Sequence, residues 1–390
     1  MINFNFYNGT EIIFGKDREN EVGKYAAKYG KKVLLHYGGG SIKASGLYDR
    51  VVKSLTEAGM EIMELPGVKP NPRLSLVREG IELCRKAGIE IILAVGGGSV
   101  IDSSKAIAMG VPYGGDVWDF FTGKAVPEQS LPVGTVLTIP AAGSESSAGC
   151  VITNEDGWLK RAAAEPYSNY PKFSVLNPEL AFTLPKNQVG NGVADILAHL
   201  FERYFTGTAE VELTDRMLEA VMKTVIHYAP AVLKNPTDYD AWCQIMLGGA
   251  FGHNNSLNAG RVSDWASHMI EHELSGAYDI AHGEGLAIVF PAWMKYVYKT
   301  DMDRFAQFAV RVWNVENDYF DKEGTALAGI AAVERFLADL GLPVRLSEID
   351  IKNDRFEEMA AKATDGDTHT VGNFVALKKA DIINIYKLAE

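Results

Sequence analysis

Cysteine is scarce in this sequence, and the few cysteines are far apart. Cys84, Cys150 and Cys243 are the only three among 390 residues, and no two of them form a CxxC pair. This spacing excludes a disulfide framework and suits the reducing environment of the cytoplasm. We therefore expect three buried, apolar thiols in a cytoplasmic protein.

Long apolar runs and clusters of basic residues are also missing. No apolar run approaches the length of a membrane span, and we expect no signal peptide because the first residues lack a basic segment followed by a long apolar one. The net charge of −12 argues against a nucleic-acid or anionic-membrane surface. We find no internal repeat. A hydrophobic content of 47% is ordinary for a soluble globular protein.

The chain is long enough for two domains, and its two halves have different patterns. Before residue 185, β-rich runs alternate with helical segments, as in a mostly parallel sheet built from βαβ units. The predicted strands are 32–37, 61–65, 89–95, 133–139 and 172–176, and the predicted helices are 43–58, 72–87 and 99–109. Later segments have helical spacing, namely 187–205, 211–228, 238–257, 262–278, 283–299, 301–314 and 324–340. We predict an α/β domain over 1–185, an all-α domain over 186–390 and a ligand cleft between them.

A glycine-rich turn follows the predicted strand 89–95. Gly96, Gly97 and Gly98 precede a predicted helix that contains Ser99 and Asp102. Glycines let the backbone approach an anion closely, and the free N–H groups of a helix start can bind phosphate. The turn is not the GxGxxG fingerprint, however. Ser99 and Asp102 also have the spacing of a helix capping box, which needs no ligand, so the spacing leaves both interpretations open.

A second glycine turn follows the predicted strand 32–37. It reads Gly38-Gly39-Gly40-Ser41 and contains no acidic residue, and Lys43 lies close by. An acidic side chain near the adenosine ribose favours NAD, so its absence permits NADP. Pro70-Asn71-Pro72 has the pattern of a helix start, with Asn71 as the cap, and this reading also needs no ligand.

Potential metal ligands lie in the second half of the chain. Asp195 and His199 are four residues apart, so they project from one face of a helix. His268 and His272 repeat this spacing, and His282 follows at an Ala-His-Gly break. Three imidazoles and one carboxylate can hold a divalent metal such as iron or zinc. A solvated pair explains Asp195 and His199 as well, and the spacing does not choose between His268 and His272.

Recognisable motifs run along nearly the whole chain, namely Phe14-Gly15, Tyr37-Gly-Gly-Gly-Ser41, Pro70-Asn-Pro72, Gly96-Gly-Gly-Ser99 with Asp102 and Lys105, Thr138-Ile-Pro-Ala-Ala-Gly-Ser-Glu145, Thr183-Leu-Pro185, Asp195 with His199, His268-Met-Ile-Glu-His272 and Ala281-His-Gly283. Together these motifs resemble those of the iron-containing (group III) alcohol dehydrogenases, in particular the NADPH-preferring butanol dehydrogenase or aldehyde reductase branch. The sequence departs from the commoner signature where Glu271-His272-Glu273 intervenes between the histidines, and this leaves the metal preference open.

The resemblance implies a fold and a set of site residues. The implied fold is a Rossmann-like, dinucleotide-binding α/β domain over 1–185, followed by an all-α metal-binding domain over 186–390, as in dehydroquinate synthase. The implied metal ligands are Asp195, His199, His268 and His282. The implied cofactor contacts are Gly38, Gly39, Ser41, Asn71, Gly96, Gly97, Gly98, Ser99, Asp102, Thr138, Ser144 and Leu184. The implied catalytic residues are His272, a candidate proton relay near the nicotinamide and substrate, and Asp102.

The resemblance also implies an activity. We expect reversible hydride transfer between NADP(H), preferred over NAD(H), and a primary alcohol or aldehyde, assisted by one Fe²⁺ or Zn²⁺ ion. We expect a homodimer in the cytoplasm, with no nucleic-acid or membrane partner. Alternatives with the same fold are a zinc glycerol dehydrogenase, a dehydroquinate synthase, which would need more cationic residues, and a non-catalytic binding protein. The intact ligands and both glycine turns argue against the last of these.

Overall fold

The computed structural model describes residues 1–165 and 167–390, which form two compact units. We call one the α/β unit; it comprises Tyr7–Thr183 and Thr237–Asn255. The other, the helical unit, comprises Met1–Phe6, Leu184–Pro236 and Ser256–Glu390. Each unit is discontinuous in sequence, whereas the sequence pattern predicts two continuous domains.

All the strands of the described residues lie in the α/β unit. They are β1 Glu11–Phe14, β2 Lys32–Tyr37, β3 Glu61–Leu65, β4 Ile91–Gly96, β5 Val133–Leu137, β6 Gly149–Asn154, β7 Leu159–Ala164 and β8 Phe173–Leu176. Six of them form a parallel sheet in the order β1-β8-β5-β4-β2-β3, and β6 pairs with β7 as an antiparallel hairpin. Strands β4 and β5 are buried along their whole length, as expected for a parallel sheet covered on both faces.

Helices cover this sheet and build the other unit. Those of the α/β unit are α1 Val22–Ala26, α2 Ser41–Ala44, α3 Leu47–Glu57, α4 Leu74–Ala87, α5 Gly98–Gly110, α6 Trp118–Phe121 and α9 Tyr239–His253. Those of the helical unit are α7 Lys186–Tyr204, α8 Glu212–Lys234, α10 Ala266–Tyr278, α11 His282–Val297, α12 Met302–Trp313, α13 Lys322–Asp339, α14 Phe356–Ala363 and α15 Lys379–Leu388.

The predicted fold class is confirmed, and most predicted elements are present within a few residues of their bounds. Strand β1, the β6–β7 hairpin and helices α1, α6, α14 and α15 were not predicted. The single helix predicted over 43–58 is two helices, α2 and α3. Gly46 separates them in a left-handed conformation, with φ of 71°, which interrupts the helix.

Helix α9 belongs to the α/β unit although the sequence pattern places it in the helical half. Gly143, with φ of 64°, is the clearest cause. A Cβ atom at this position would lie 2.5 Å from the Cβ of His253 and 2.8 Å from the carbonyl oxygen of Gly249. The loop that contains Gly143 therefore packs directly on α9 because it has no side chain there.

The burial of the three cysteines confirms the prediction only in part. Cys84 and Cys150 are buried, whereas Cys243 is half-buried, and all three are free thiols. Burial raises the pKa of the Cys84 thiol to about 12, which keeps it in the neutral form. Among residues 1–165 and 167–390, no helix combines the length and the apolar character that crossing a membrane requires.

Candidate metal centre and cofactor turns

Three side chains of the helical unit converge on one point. Asp195 comes from α7, His268 from α10 and His282 from the first residue of α11, and one potential ligand atom of each lies within 4.8 Å of the others. Asp195 is 4% exposed and His268 is 5% exposed. This burial overturns the interpretation of Asp195 and His199 as a solvated surface pair, because His199 is buried as well.

His199 lies beside this group on α7. Its Nδ1 donates to the main-chain oxygen of Asp195 at 2.9 Å, and its ring centroid is 4.6 Å from that of His268. The same Nδ1 is 3.1 Å from Oδ1 of the Asp195 carboxylate, but the geometry of that contact is not that of a hydrogen bond. Oδ1 of Asp195 thus has no hydrogen-bond partner among the described residues.

A buried carboxylate fixes the orientation of His268. Oε1 of Glu202 accepts from Nδ1 of His268 at 2.8 Å and from its main-chain N–H at 3.0 Å, and Oε2 accepts from the main-chain N–H of Trp265 at 2.6 Å. Burial raises the pKa of Glu202 to about 7, although these N–H groups oppose the shift. Because Nδ1 is the donor, the lone pair of the His268 ring is on Nε2, which is buried and has no partner within the described part of the chain.

The charge states of the group suit metal ligation. Burial, together with the proximity of the His199 and His282 imidazoles, lowers the pKa of His268 well below its ordinary value, so the ring is neutral. Burial would raise the pKa of Asp195, but the adjacent histidines outweigh it and lower that pKa, so the carboxylate is charged. Metal ligands must be deprotonated in this way. Oδ1 of Asp195 and Nε2 of His268 are buried potential ligand atoms without a hydrogen-bond partner in the part of the chain that the structure describes. Together with the two neighbouring imidazoles they fit one divalent ion, and N/O ligands suit iron and zinc alike.

A glycine explains how His282 reaches this group. A Cβ atom at Gly283 would overlap the main-chain oxygen of Asn191, so α11 can begin this close to α7 only because residue 283 has no side chain. His282 Nε2 consequently lies 3.9 Å from Oδ1 of Asp195. The Ala281-His282-Gly283 motif therefore combines a candidate ligand with the glycine that lets α11 begin close to α7.

The structure separates His272 from the buried group. His272 is half-buried, and it belongs to a second set of potential ligand atoms, with Glu271 and His282, that lie within 4.8 Å of one another. The ring centroids of His272 and His282 are 5.6 Å apart. His272 is therefore next to the candidate metal ligands on the side of His282, whereas His268 is within the group that contains Asp195.

In the α/β unit, the turn after β4 does not contain the capping box that the sequence allows. Helix α5 begins at Gly98 with Gly97 as its N-cap, and no side chain caps it. The carboxylate of Asp102 instead accepts from Ser144 Oγ at 2.5 Å and from the main-chain N–H of Val151 at 3.0 Å. The capping-box interpretation is wrong, and Asp102 joins α5 to the loop that contains Ser144.

A buried lysine holds the same loop. Lys105 is 0% exposed, and its Nζ contacts the main-chain oxygens of Ser144, Ser147 and Gly149 at 2.6, 2.7 and 2.9 Å. It also contacts Ser144 Oγ at 2.9 Å. Burial lowers the pKa of Lys105 to about 8, which leaves the ammonium mostly charged at neutral pH. Ser144 is thus bound from α5 by both Asp102 and Lys105.

The glycines of the turn after β4 also allow close packing. A Cβ atom at Gly97 would lie 3.0 Å from the Cβ of Ile139, and one at Gly98 would lie 3.1 Å from the Cβ of Ala142. The main-chain N–H of Thr138 donates to the oxygen of Gly96 at 3.0 Å. The segment after β5 therefore lies against the turn, and Ser99 follows in the first turn of α5.

The first glycine turn is open by comparison. Within residues 1–165 and 167–390, no atom lies within 4 Å of a Cβ placed at Gly39, and the turn leads through the exposed Ser41 into α2. Next to it, Lys43 Nζ lies 4.6 Å from the ring centroid of Tyr48. Gly38 is half-buried, whereas Gly39 is exposed. A side chain at Gly39 would therefore have open space around its Cβ atom.

Two further predicted cofactor contacts lie in different units. Helix α4 begins at Leu74 with Arg73 at the N-cap, so the prediction that Asn71 caps this helix is wrong. Asn71 is buried in a left-handed conformation with φ of 52°. Leu184 belongs to the helical unit, where it is half-buried just before the N-cap of α7.

Comparisons with known proteins assign the family. Residues 9–178 match the family described as iron-containing alcohol dehydrogenase, and residues 190–389 match the C-terminal family of Fe-containing alcohol dehydrogenases. A probable NADH-dependent butanol dehydrogenase of Bacillus subtilis (strain 168) is 44% identical over 99% of both chains. An NADPH-dependent aldehyde reductase of Escherichia coli (strain K12) is 37% identical over 89% of both chains. The crystal structure of an NADH-dependent butanol dehydrogenase from Thermotoga maritima, 40% identical, covers 100% of this chain and 99% of its own with a TM-score of 0.96.

The chain belongs to the iron-containing alcohol dehydrogenase family and is an oxidoreductase of that class. This result confirms the resemblance inferred from the motifs. It also confirms the fold, because the parallel sheet followed by a helical half is that of the solved relatives.

Two buried carboxylates of the site were not predicted from the sequence. Glu202 is three residues after His199 on α7, and Glu271 is three residues after His268 on α10. On a helix, a residue three positions from a ligand shares its face. The sequence signal was therefore present, but it is the ordinary spacing of a surface ion pair and does not indicate burial.

Proposed function

We propose that this enzyme catalyses reversible hydride transfer between NADP(H) and a primary alcohol or its aldehyde, of the butanol and butyraldehyde type. The observation that carries the proposal is the group of Asp195, His268 and His282. The first two are buried, and each has one potential ligand atom without a hydrogen-bond partner among the described residues. The names of the relatives, which include butanol dehydrogenases and an aldehyde reductase, support this substrate class.

The proposed metal ligands are Asp195, His199, His268 and His282, and the proposed ion is Fe²⁺ or Zn²⁺. A divalent ion supplies a Lewis acid that lowers the pKa of an alcohol or polarises a carbonyl. The chain's own contribution is to hold the carboxylate charged and the His268 ring neutral in a buried position. Glu202 maintains the required tautomer of His268 through its 2.8 Å hydrogen bond.

The proposed cofactor contacts other than Leu184 are in the α/β unit, and we extend the dinucleotide-binding role predicted for 1–185 to this unit. The turn at Gly96, Gly97, Gly98 and Ser99 would receive the pyrophosphate at the start of α5. Asn71, Asp102, Thr138 and Ser144 are proposed contacts around it, and Leu184 is proposed for the adenine side. The metal-binding role predicted for 186–390 is proposed for the helical unit.

NADP preference is proposed from the first glycine turn, Gly38, Gly39 and Ser41. Lys43 is the nearby cation, and both oxygens of Glu64 accept from the hydroxyls of Tyr37 and Tyr48 at 2.6 Å. These hydrogen bonds lower the pKa of Glu64, and they occupy a carboxylate that could otherwise bind a ribose hydroxyl. The relatives' names include both NADH-dependent and NADPH-dependent enzymes, so they do not decide the preference.

His272 is the proposed proton relay. Its half-buried position next to His282 would let it exchange a proton with solvent near the reacting oxygen. We further propose that the enzyme is a cytoplasmic homodimer that acts on small molecules.

A spectrophotometric assay separates this function from its alternatives. Purified protein is mixed with NADPH and a panel of aldehydes that includes butyraldehyde, and separately with glycerol and NAD⁺. We expect NADPH oxidation with butyraldehyde that a chelator abolishes. A preference for glycerol with NAD⁺ would favour the zinc glycerol dehydrogenase alternative. Absence of oxidation with every aldehyde would contradict the proposal and favour a dehydroquinate synthase-like or non-catalytic protein.

A further inference from the structure

We propose that Glu271 is a positioning residue that fixes the ring of His282 and strengthens its binding to the metal. The proposal rests on the metal site proposed above. Glu271 is 0% exposed and lies on α10, one helical turn after His268. The family resemblance assigns it no role, and its presence between the histidines is a departure from the commoner signature.

The hydrogen bonds of Glu271 define this role. Its Oε2 accepts from Nδ1 of His282, and its Oε1 accepts from Ser275 Oγ. With Nδ1 as the donor, the lone pair of the His282 ring is on Nε2, the nitrogen that lies 3.9 Å from Oδ1 of Asp195. Glu271 therefore selects both the tautomer and the direction that ligation requires.

A second observation supports the same role independently. Gly285 lies within α11, where glycine is unfavourable relative to alanine. A Cβ atom at this position would lie 2.6 Å from Oε1 of Glu271. The glycine therefore leaves space for the carboxylate at the expense of helix propensity, as expected if the placement of Glu271 matters more than the stability of α11.

A hydrogen bond between a carboxylate and a metal-ligating histidine has two known physical effects. A carboxylate that accepts from the distal nitrogen of a ligating histidine orients the ring and increases its basicity, and its removal commonly weakens metal affinity by about 10- to 100-fold. Glu202 makes the equivalent contact with His268. Two of the three histidines proposed as ligands are then each held by a fully buried carboxylate.

The test uses Glu271→Gln, which removes the charge and can keep both hydrogen bonds. The amide oxygen can accept from His282, and the amide N–H can donate to the hydroxyl of Ser275, which also acts as an acceptor. We expect the dissociation constant for Zn²⁺, measured by competition with a chromophoric chelator, to rise by about 10- to 100-fold. We also expect an altered visible spectrum of the Co²⁺-loaded protein. The melting temperature of the metal-free protein should stay close to that of the parent.

Two variants complete the test. Glu219→Gln alters a buried carboxylate of the same unit that contacts Tyr204, Arg216 and Arg311, and it should leave the Zn²⁺ dissociation constant unchanged. Gly285→Ala should weaken Zn²⁺ binding by displacing Glu271, although alanine favours the helix. A Zn²⁺ dissociation constant of Glu271→Gln within twofold of the parent value would overturn the inference.

Zn²⁺ binding by His268→Ala distinguishes a failure of this inference from a failure of the proposed function. If His268→Ala binds Zn²⁺ as tightly as the parent, the proposed metal site itself is wrong. If His268→Ala loses Zn²⁺ while Glu271→Gln keeps it, the metal site stands and only the role of Glu271 is refuted.

Discussion

The Nδ1 atom of His268 donates to Oε1 of Glu202 over 2.8 Å, and this hydrogen bond turns the opposite ring nitrogen toward Asp195 and His282. The same carboxylate accepts from the main-chain N–H of His268, so it fixes the backbone and the ring of one residue together. A ligand held in this way needs little reorganisation when a metal binds. The arrangement explains why His268, rather than His272, is our proposed ligand.

The first prediction concerns these two histidines. His268→Ala should reduce the metal content of the purified protein by at least about tenfold, because a buried ligand is lost. His272→Ala should retain the metal and lose about 100-fold or more in turnover, because a proton relay is lost. Elemental analysis and aldehyde reduction by NADPH measure the two effects. Equal loss of metal in both variants would contradict this assignment, and loss in His272→Ala alone would mean that the roles are exchanged.

The second prediction concerns cofactor preference. Gly39→Asp should lower the ratio of NADPH to NADH efficiency by about tenfold or more, because a carboxylate repels the 2′-phosphate. The turn has room for the side chain, since the described residues place no atom within 4 Å of a Cβ there. Gly39→Asn is the matched uncharged control and should change kcat/KM for the two cofactors much less. An unchanged ratio in Gly39→Asp would exclude this turn as the discriminator.

The third prediction concerns the buried lysine of the α/β unit. Lys105→Met should lower the free energy of unfolding by about 3 kcal/mol, because three main-chain oxygens lose a buried, charged donor. Urea unfolding measures the change. Lys53→Met, on the exposed face of α3, should stay within about 0.5 kcal/mol of the parent. A similar small effect at Lys105 would show that the loop does not depend on it.

The fourth prediction concerns acid stability. Burial lowers the pKa of His36 from 6.5 to about 4, although a hydrogen bond to the oxygen of Leu65 opposes the shift. Between these values the unfolded chain binds a proton that the folded chain does not, so stability falls as the pH falls from 6.5 to 4. The loss of stability due to His36 is absent above pH 6.5 and complete below pH 4. It amounts to about 3 kcal/mol in the free energy of unfolding.

Comparison with a variant isolates this effect from other titrating groups. His36→Gln should be less stable than the parent at neutral pH, but it should lose less stability between pH 6.5 and 4 in urea unfolding. His227→Gln, at an exposed position of α8, serves as the control and should keep the parent's pH dependence. Parallel curves for the parent and His36→Gln would refute the assignment.

The sequence pattern predicted the strands and helices better than it predicted the surfaces against which they pack. Strands β2 and β3 were predicted at their observed bounds. Strand β2 is buried after its first residue and gives a nearly continuous apolar signal, whereas β3 is a mostly exposed edge strand. Helix α9 was placed in the wrong unit because helical spacing does not say which surface the helix covers. The contact that decides this, between Gly143 and α9, joins residues about a hundred positions apart.

The same limit applies to the site. The spacing of Asp195 and His199 is that of a solvated pair and also of two buried ligands, and only the structure shows them buried. Ser99 and Asp102 have capping-box spacing, yet Asp102 bonds to Ser144, a partner in a distant loop. Local spacing cannot reveal such contacts. The family motifs identified the candidate ligands. The contacts of Glu202 and Glu271 with two of these histidines are seen only in the structure, where α7, α10 and α11 pack together.

The most direct test of the account is metal dependence of aldehyde reduction. The protein is purified without added metal, its iron and zinc are quantified, and NADPH oxidation with butyraldehyde is measured before and after removal of the metal by a chelator. We predict about one metal per chain, loss of activity on its removal, and recovery when Fe²⁺ or Zn²⁺ is restored. Full activity of metal-free protein would contradict the account.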